Sequence, residues 1–174
     1  MKSIGLVRRI DDLGRVVIPK EIRRIIKVKE GDPLEIFVDK EGEVILKRFS
    51  EIDYLAENTK ACADSLFEIT GYISYITSRD KVISVSGISK RELLNKEIDS
   101  VIEEVIENKK EKFISEFDSV TSFYTRIIVP ILAYGNCVGT IIIASKNEDV
   151  IMGELELKLV QISAKYLSKL LEDY

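Results

Sequence analysis

The first 49 residues contain only short elements, and this constrains the fold more than any other feature of the chain. Strand-like alternation covers 4–10, with Ile4, Leu6 and Ile10 apolar, and a β-branched run follows at 15–18. Asp11-Asp12-Leu13-Gly14 between them reads as a turn, with Gly14 free to take a positive φ. Pro19 suits the first position of a helix over 20–28. In that helix Ile22, Ile25 and Ile26 form an apolar stripe, flanked by Lys20, Arg23, Arg24 and Lys27. Gly31 is expected to end the helix and Pro33 to prevent its resumption. Two further strands, 34–38 and 44–47, are joined by a hairpin loop over 39–43. A unit this small buries a low fraction of its surface, and oligomerisation is a usual remedy. Pairing with a second copy is therefore expected from size alone.

Charge separates this segment from the rest. Residues 1–29 hold nine Lys or Arg against three Asp or Glu, a net of +6. The whole chain carries −4, so the remainder carries −10. A basic front on an acidic body is the asymmetry expected when one part of a protein touches a polyanion.

From Ser50 the pattern lengthens. A helix is predicted over 50–70, with Ile52, Leu55, Ala56, Thr59, Ala63, Leu66 and Phe67 on its apolar stripe and Gly71 at its end. Strands follow at 72–77 and 81–86, then helical sequence over 89–108 broken near Asn95, and a strand at 112–117. A hairpin of 123–133 and 137–145 turns at Tyr134-Gly135-Asn136, and a helix closes the chain over 150–172. This order gives an α+β domain with an antiparallel sheet and a long helix at each end.

Little points to catalysis. The chain has no histidine, which removes the commonest general base and metal ligand. Cys62 and Cys137 lie far apart and read as reduced, mostly buried thiols, so neither a metal site nor a disulfide is expected. Acid pairs such as Glu103-Glu104 read as solvated helix faces, and no catalytic residue or cofactor is assigned. No apolar run reaches the roughly 18 residues of a membrane helix, so a cytoplasmic, nucleoid-associated location without membrane contact is expected. Positions considered as lining a small-molecule site are Tyr72, Ser74, Phe113, Tyr124 and Arg126. No nucleotide motif accompanies them, and a filled assembly domain is the competing reading.

Within 1–49 the run Leu13-Gly14-Arg15-Val16-Val17-Ile18-Pro19 is joined by Met1-Lys2-Ser3-Ile4-Gly5, Val7-Arg8-Arg9, Asp11-Asp12, Glu21-Ile22-Arg23-Arg24 and Gly31-Asp32-Pro33-Leu34-Glu35-Ile36. This segment resembles the AbrB family of swapped-hairpin transition-state regulators. The resemblance implies a β-rich homodimer formed through residues 1–49, in which two chains interleave their hairpins. It implies that double-stranded DNA is gripped by Arg8, Arg15, Arg23 and Arg24, with Arg9 and Lys20 as flanking contacts. Arginine suits that role because its planar fork pairs with a phosphate or bidentately with a guanine edge. The layout of the whole chain resembles sporulation regulators that join such a head to a GAF-like sensor domain, here 50–174 including the linker helix 50–70. Ile127-Ile128-Val129-Pro130-Ile131 and Gly139-Thr140-Ile141-Ile142-Ile143 resemble the paired central strands of GAF domains. This second resemblance implies a homotetramer joined through the C-terminal helices and a part in late forespore transcription, as activator and repressor. An unknown small-molecule effector is left open. One competing function is a ligand-sensing module whose contact with DNA is secondary; the other is an antitoxin-type protein with the same head. Its tail would be short, whereas residues 50–174 have a folded domain's periodicity.

Overall fold

The computed structural model describes residues 6–173. The opening of the expected 4–10 strand and the Met1–Gly5 part of the motif lie outside the described residues. The chain divides between Phe49 and Ser50 into two compact units.

In the first unit Asp11 and Gly14 close the expected turn. The Gly14 N–H donates to the Asp11 carbonyl (3.0 Å), and Gly14 sits at φ +76°. The expected strands flanking it are not formed: 6–10 and 15–18 carry no ladder in the single chain. Their apolar side chains stand largely uncovered, and Val7 and Val17 are 96% and 77% exposed. A strand is completed only by a neighbour that takes its N–H and C=O groups, and the described residues of the lone chain supply none here.

Helix α1 spans Lys20–Ile25, with Pro19 immediately before it. It ends earlier than the sequence indicates. Lys27 enters the left-handed region (φ +53°), and the Val28 N–H donates back to the Arg23 carbonyl (2.9 Å). The left-handed stop expected at Gly31 is thus made at Lys27, and Gly31 (φ +87°) serves the next turn. Strands β1 (Leu34–Val38) and β2 (Val44–Arg48) pair antiparallel, Ile36 opposite Leu46. Val28 is the one buried hydrophobic residue among those described in this unit.

The second unit opens with a 3-10 turn, Glu51–Leu55, that continues into α2, Ala56–Thr70. Gly71 (φ +72°) stops α2 as expected, its N–H donating to the Phe67 carbonyl. The remaining elements are β3 (Ile73–Thr77), β4 (Val82–Ser86), α3 (Lys90–Leu93), α4 (Ser100–Asn108), β5 (Lys112–Ile114), β6 (Thr125–Ala133), β7 (Asn136–Ser145) and α5 (Glu154–Glu172). The break foreseen near Asn95 is real. Asn95 takes φ +62° and bonds to β4 through Val82, so α3 and α4 are separate helices. The strand expected over 112–117 stops at Ile114.

All five strands of this unit form one antiparallel sheet in the order β4-β3-β7-β6-β5. One face packs Ile76, Ile127, Ile131, Ile141 and Ile143 against Ala63 and Leu66 of α2 and Val160, Ala164 and Leu167 of α5. The other packs Tyr75, Ile128 and Ile142 against Ile102, Val105 and Ile106 of α4. With both faces covered, β6 and β7 lose polar alternation and read as continuous apolar runs. Tyr134 (φ +50°) and Gly135 (φ +77°) turn the hairpin, the two positive φ values that match its twist. Pro130, which cannot donate to a ladder, falls beyond Ile128, the last residue of β6 paired to β5. Gly139 is required by a close approach: a Cβ there would lie 2.0 Å from the Thr77 carbonyl oxygen.

Candidate nucleic-acid interface

The turn at 11–15 is built around one carboxylate. Asp11 Oδ1 accepts the Leu13 and Arg15 backbone N–H groups (3.0 and 2.8 Å), and Oδ2 accepts the Arg15 Nε–H (2.8 Å). The Asp11 N–H donates to the Arg15 carbonyl (3.1 Å), closing the loop. Hydrogen bonds from the Arg15 backbone, then from its side chain, hold the Asp11 carboxyl below its ordinary range. The Arg15 side chain remains 70% exposed.

Of the positions expected to meet a polyanion, Arg8 and Arg9 stand exposed on the segment before this turn, and Arg15 closes it. Lys20, Arg23 and Arg24 lie on α1, with Lys20 and Arg24 exposed. Arg23 differs from the rest. It is half-buried, its Nε is shielded without a hydrogen-bond partner among the described residues, and it lines an open cleft with Val16, Val17, Ile18, Val28 and Leu34, beside the charged Lys29 and Asp32. Shielding a guanidine nitrogen from water without a partner costs free energy. Sequence reasoning treats Asp11 only as a turn residue. The signal for its second contact is the i,i+4 spacing to Arg15.

A second charged centre lies inside the C-terminal unit. Arg126, on β6, is 1% exposed. Its Nη1 donates to Asp99 Oδ2 (2.5 Å) and its Nη2 to Asp118 Oδ2 (2.8 Å). Both acids also organise backbone. Asp99 Oδ1 caps α4 by accepting the Val101 and Ile102 N–H groups. Asp118 accepts the Val120 N–H and the Thr121 hydroxyl, shaping the turn that returns to Phe123. Burial pulls the Asp118 pKa upward, but these hydrogen bonds and the Arg126 charge outweigh it, leaving the group below its ordinary value. Burial pushes the neighbouring Tyr75 phenol up to about 12, so it stays neutral.

Above this cluster a cavity of about 390 Å³ is lined by Tyr75, Ile88, Leu93, Ile102 and Phe123, with Glu92 and Lys146 among its polar residues. Glu92 and Lys146 are themselves paired (2.8 Å). None of the positions considered from sequence lines it. Ser74 alternates with Tyr75 and so shares the α2/α5 face with Ile76. Tyr72 packs against that same core, Phe113 is exposed, and Tyr124 stacks on Phe117. Arg126 does not line the cavity itself but reaches its wall through Asp99 and the Tyr75 hydroxyl. Along a strand a displacement of one residue exchanges faces, and apolar content on both faces hides which parity meets the cavity.

Cys62 lies on α2 and Cys137 on β7, both as free thiols, with burial raising each pKa. Among the described residues no cluster of His, Cys, Asp or Glu is arranged to hold a metal ion, and no helix is long and apolar enough to cross a membrane.

The two units match separate family models, and one relative matches across both. Residues 54–172 match the family model described as stage V sporulation protein T C-terminal, transcription factor, and residues 7–48 match antidote-toxin recognition MazE, bacterial antitoxin. Stage V sporulation protein T of Bacillus subtilis (strain 168) is 45% identical over 181 aligned positions, covering 99% of both chains. The transition state regulatory protein AbrB of the same organism is 57% identical over 49 residues, covering 28% of this chain and 50% of that one. Among solved structures, the GAF-B domain of DevS from Mycobacterium smegmatis superposes with a TM-score of 0.60 at 13% identity, covering 67% of this chain and 92% of that one. At that identity the likeness is one of fold.

Proposed function

The chain belongs to the stage V sporulation protein T family, and from that premise we propose that it is a DNA-binding transcription regulator of sporulation, not an enzyme. It grips double-stranded DNA through Arg8, Arg15, Arg23 and Arg24, with Arg9 and Lys20 on the flanks. It acts at the nucleoid on late forespore genes, activating some and repressing others.

The observation that carries this reading is the combination found in residues 6–49. Exposed arginines stand on a unit with almost no core of its own and with unladdered, apolar segments on either side of a well-formed turn. Two copies interleaving those segments supply each other's missing strand partners and core. They also double the cationic groups presented to DNA.

In the second unit α5 is apolar on two sides. Val160, Ala164 and Leu167 face the sheet, while Leu155, Ile162 and Tyr166 are 70%, 67% and 55% exposed at helical spacing. That outer stripe joins dimers into a tetramer. The cavity beside Tyr75 and Phe123 is where a small-molecule effector would act. The antitoxin reading, which the match over 7–48 keeps in view, is disfavoured by the folded unit at 50–174 and by the relative matched along the full length.

The test is binding of the full chain to a duplex enriched from a random-sequence library, measured across a salt series. Binding should weaken with salt at a log–log slope of about −0.9 per phosphate neutralised. Replacing Arg8, Arg15, Arg23 and Arg24 together by Ala should abolish binding and leave the melting of residues 50–174 unchanged. A folded quadruple variant that bound like the parent would sink the assignment.

A further inference from the structure

An acid within a DNA-contacting surface opposes binding, because its charge repels the phosphates. Asp11 sits in the middle of the basic segment and is tied by hydrogen bonds to one of the arginines assigned to DNA. Both of its oxygens are occupied. Oδ1 is fixed by two backbone N–H groups of the turn, which stops the carboxylate from rotating, and Oδ2 then holds the Arg15 Nε–H. The guanidinium plane is thereby anchored to the turn backbone through its inner nitrogen. Among the described residues its two Nη groups make no hydrogen bond, and these form the fork that pairs bidentately with a guanine edge. An exposed arginine otherwise samples many rotamers, and ordering it on binding costs affinity.

We infer that Asp11 is a positioning residue for DNA recognition, holding the Arg15 guanidinium in its binding geometry before DNA arrives. The inference rests on the proposed DNA-binding role of Arg15. Asp11 touches no base or phosphate in this account. It acts through Arg15, so its contribution is to sequence-selective binding and is opposite in sign to its bare charge. Asp12 supplies a matched comparison. It carries the same charge one position away, is exposed, and makes no hydrogen bond among the described residues.

The experiment uses the full chain, a duplex enriched from a random-sequence library with the parent protein, and a scrambled duplex of the same length and composition. Asp11→Asn keeps an oxygen for the turn N–H groups but removes the anionic hold on Nε. It should lose about tenfold in affinity for the enriched duplex, the scale of one bidentate contact, and lose nothing on the scrambled one. Asp12→Asn should bind both duplexes at least as tightly as the parent. In an Arg15→Ala background Asp11→Asn should produce no further loss, and removal of its charge should raise affinity on both duplexes.

Tighter binding of both duplexes by Asp11→Asn in the parent background would overturn the inference while leaving Arg15 as a contact. An equal loss with and without Arg15 would reduce Asp11 to a support of the turn and also overturn it. If Arg15→Ala alone bound the enriched duplex like the parent, the Arg15 contact itself would fall, and the inference with it. Circular dichroism of each variant checks that the unit remains folded.

Discussion

In residues 50–174 a five-stranded sheet carries apolar side chains to helices on both faces, whereas in residues 6–49 Val28 alone among the hydrophobic residues is buried. The same chemical pair, an arginine with aspartate, is put to different use in each. Arg126 is 1% exposed and joins the N-terminus of α4, the turn after Asp118 and the sheet. Arg15 is 70% exposed and, among the described residues, its guanidinium is joined only to its own turn. A charge inside a packed domain is held by stability, because removing it empties a buried site and leaves two part-buried carboxylates without their cation. A charge on a unit lacking its own core is exposed to solvent and to any ligand, and under the proposed dimer that unit's stability would come from a second chain.

The largest expected effect separates the units outright. A fragment of residues 50–174 should melt cooperatively and remain folded at high dilution. A fragment of residues 1–49 should unfold on dilution, with a melting temperature that rises with concentration. Sedimentation showing a folded monomer of 1–49 would break the contrast.

Next in size is Arg126→Ala, which strands Asp99 and Asp118 around a vacated buried site. It should cost about 3–5 kcal/mol in urea unfolding of the C-terminal unit. Arg15→Ala in the same assay should change the stability of that unit by less than about 0.5 kcal/mol. Comparable losses from the two substitutions would erase the distinction between held and available arginines.

Gly139→Ala tests how tightly the sheet is fitted. Its new methyl group would collide with the Thr77 carbonyl, and the strands should shift apart at a cost of about 1–3 kcal/mol. A wild-type melting curve would show that β3 and β7 yield more easily than their approach implies.

The smallest effect is one of pH. The folded pKa of Asp118 lies below its ordinary value of 3.8, which stands for the unfolded chain. Its contribution is therefore complete above that value and is lost as pH falls through the folded pKa. Asp118→Asn should flatten the acid limb of the stability curve and leave the slope near neutrality unchanged. An acid limb identical to the parent's would place the titration elsewhere.

Much of this architecture was readable from local pattern. The turn at Gly14, the stop at Gly71, the break at Asn95 and the hairpin at Tyr134-Gly135 each involve a positive φ or a helix interruption, and all four were marked by Gly, Asn or clustered turn residues. The end of α1 was not, because Lys27 adopts the left-handed region without a glycine to announce it. The β-branched residues of 15–18 indicate a strand, yet β structure depends on a neighbour that the described residues of the single chain do not supply. The proposed DNA contacts were readable as resemblance and as local basic charge. The cavity was not: Tyr75 and Phe123 are one position from the candidates Ser74 and Tyr124, and side-chain parity along a strand reverses with each residue.

Charge segregation, element order and the short reach of the first unit follow from residues near one another in the chain, because propensity, capping and periodicity are local. Which sheet face meets α4, where Arg126 finds its two carboxylates, and why position 139 admits only glycine follow from packing between distant segments. Those partners lie 27 and 8 residues from Arg126, and Gly139 must clear a carbonyl at Thr77. Contacts at such separations leave no period in the sequence, since each depends on how the whole sheet is assembled.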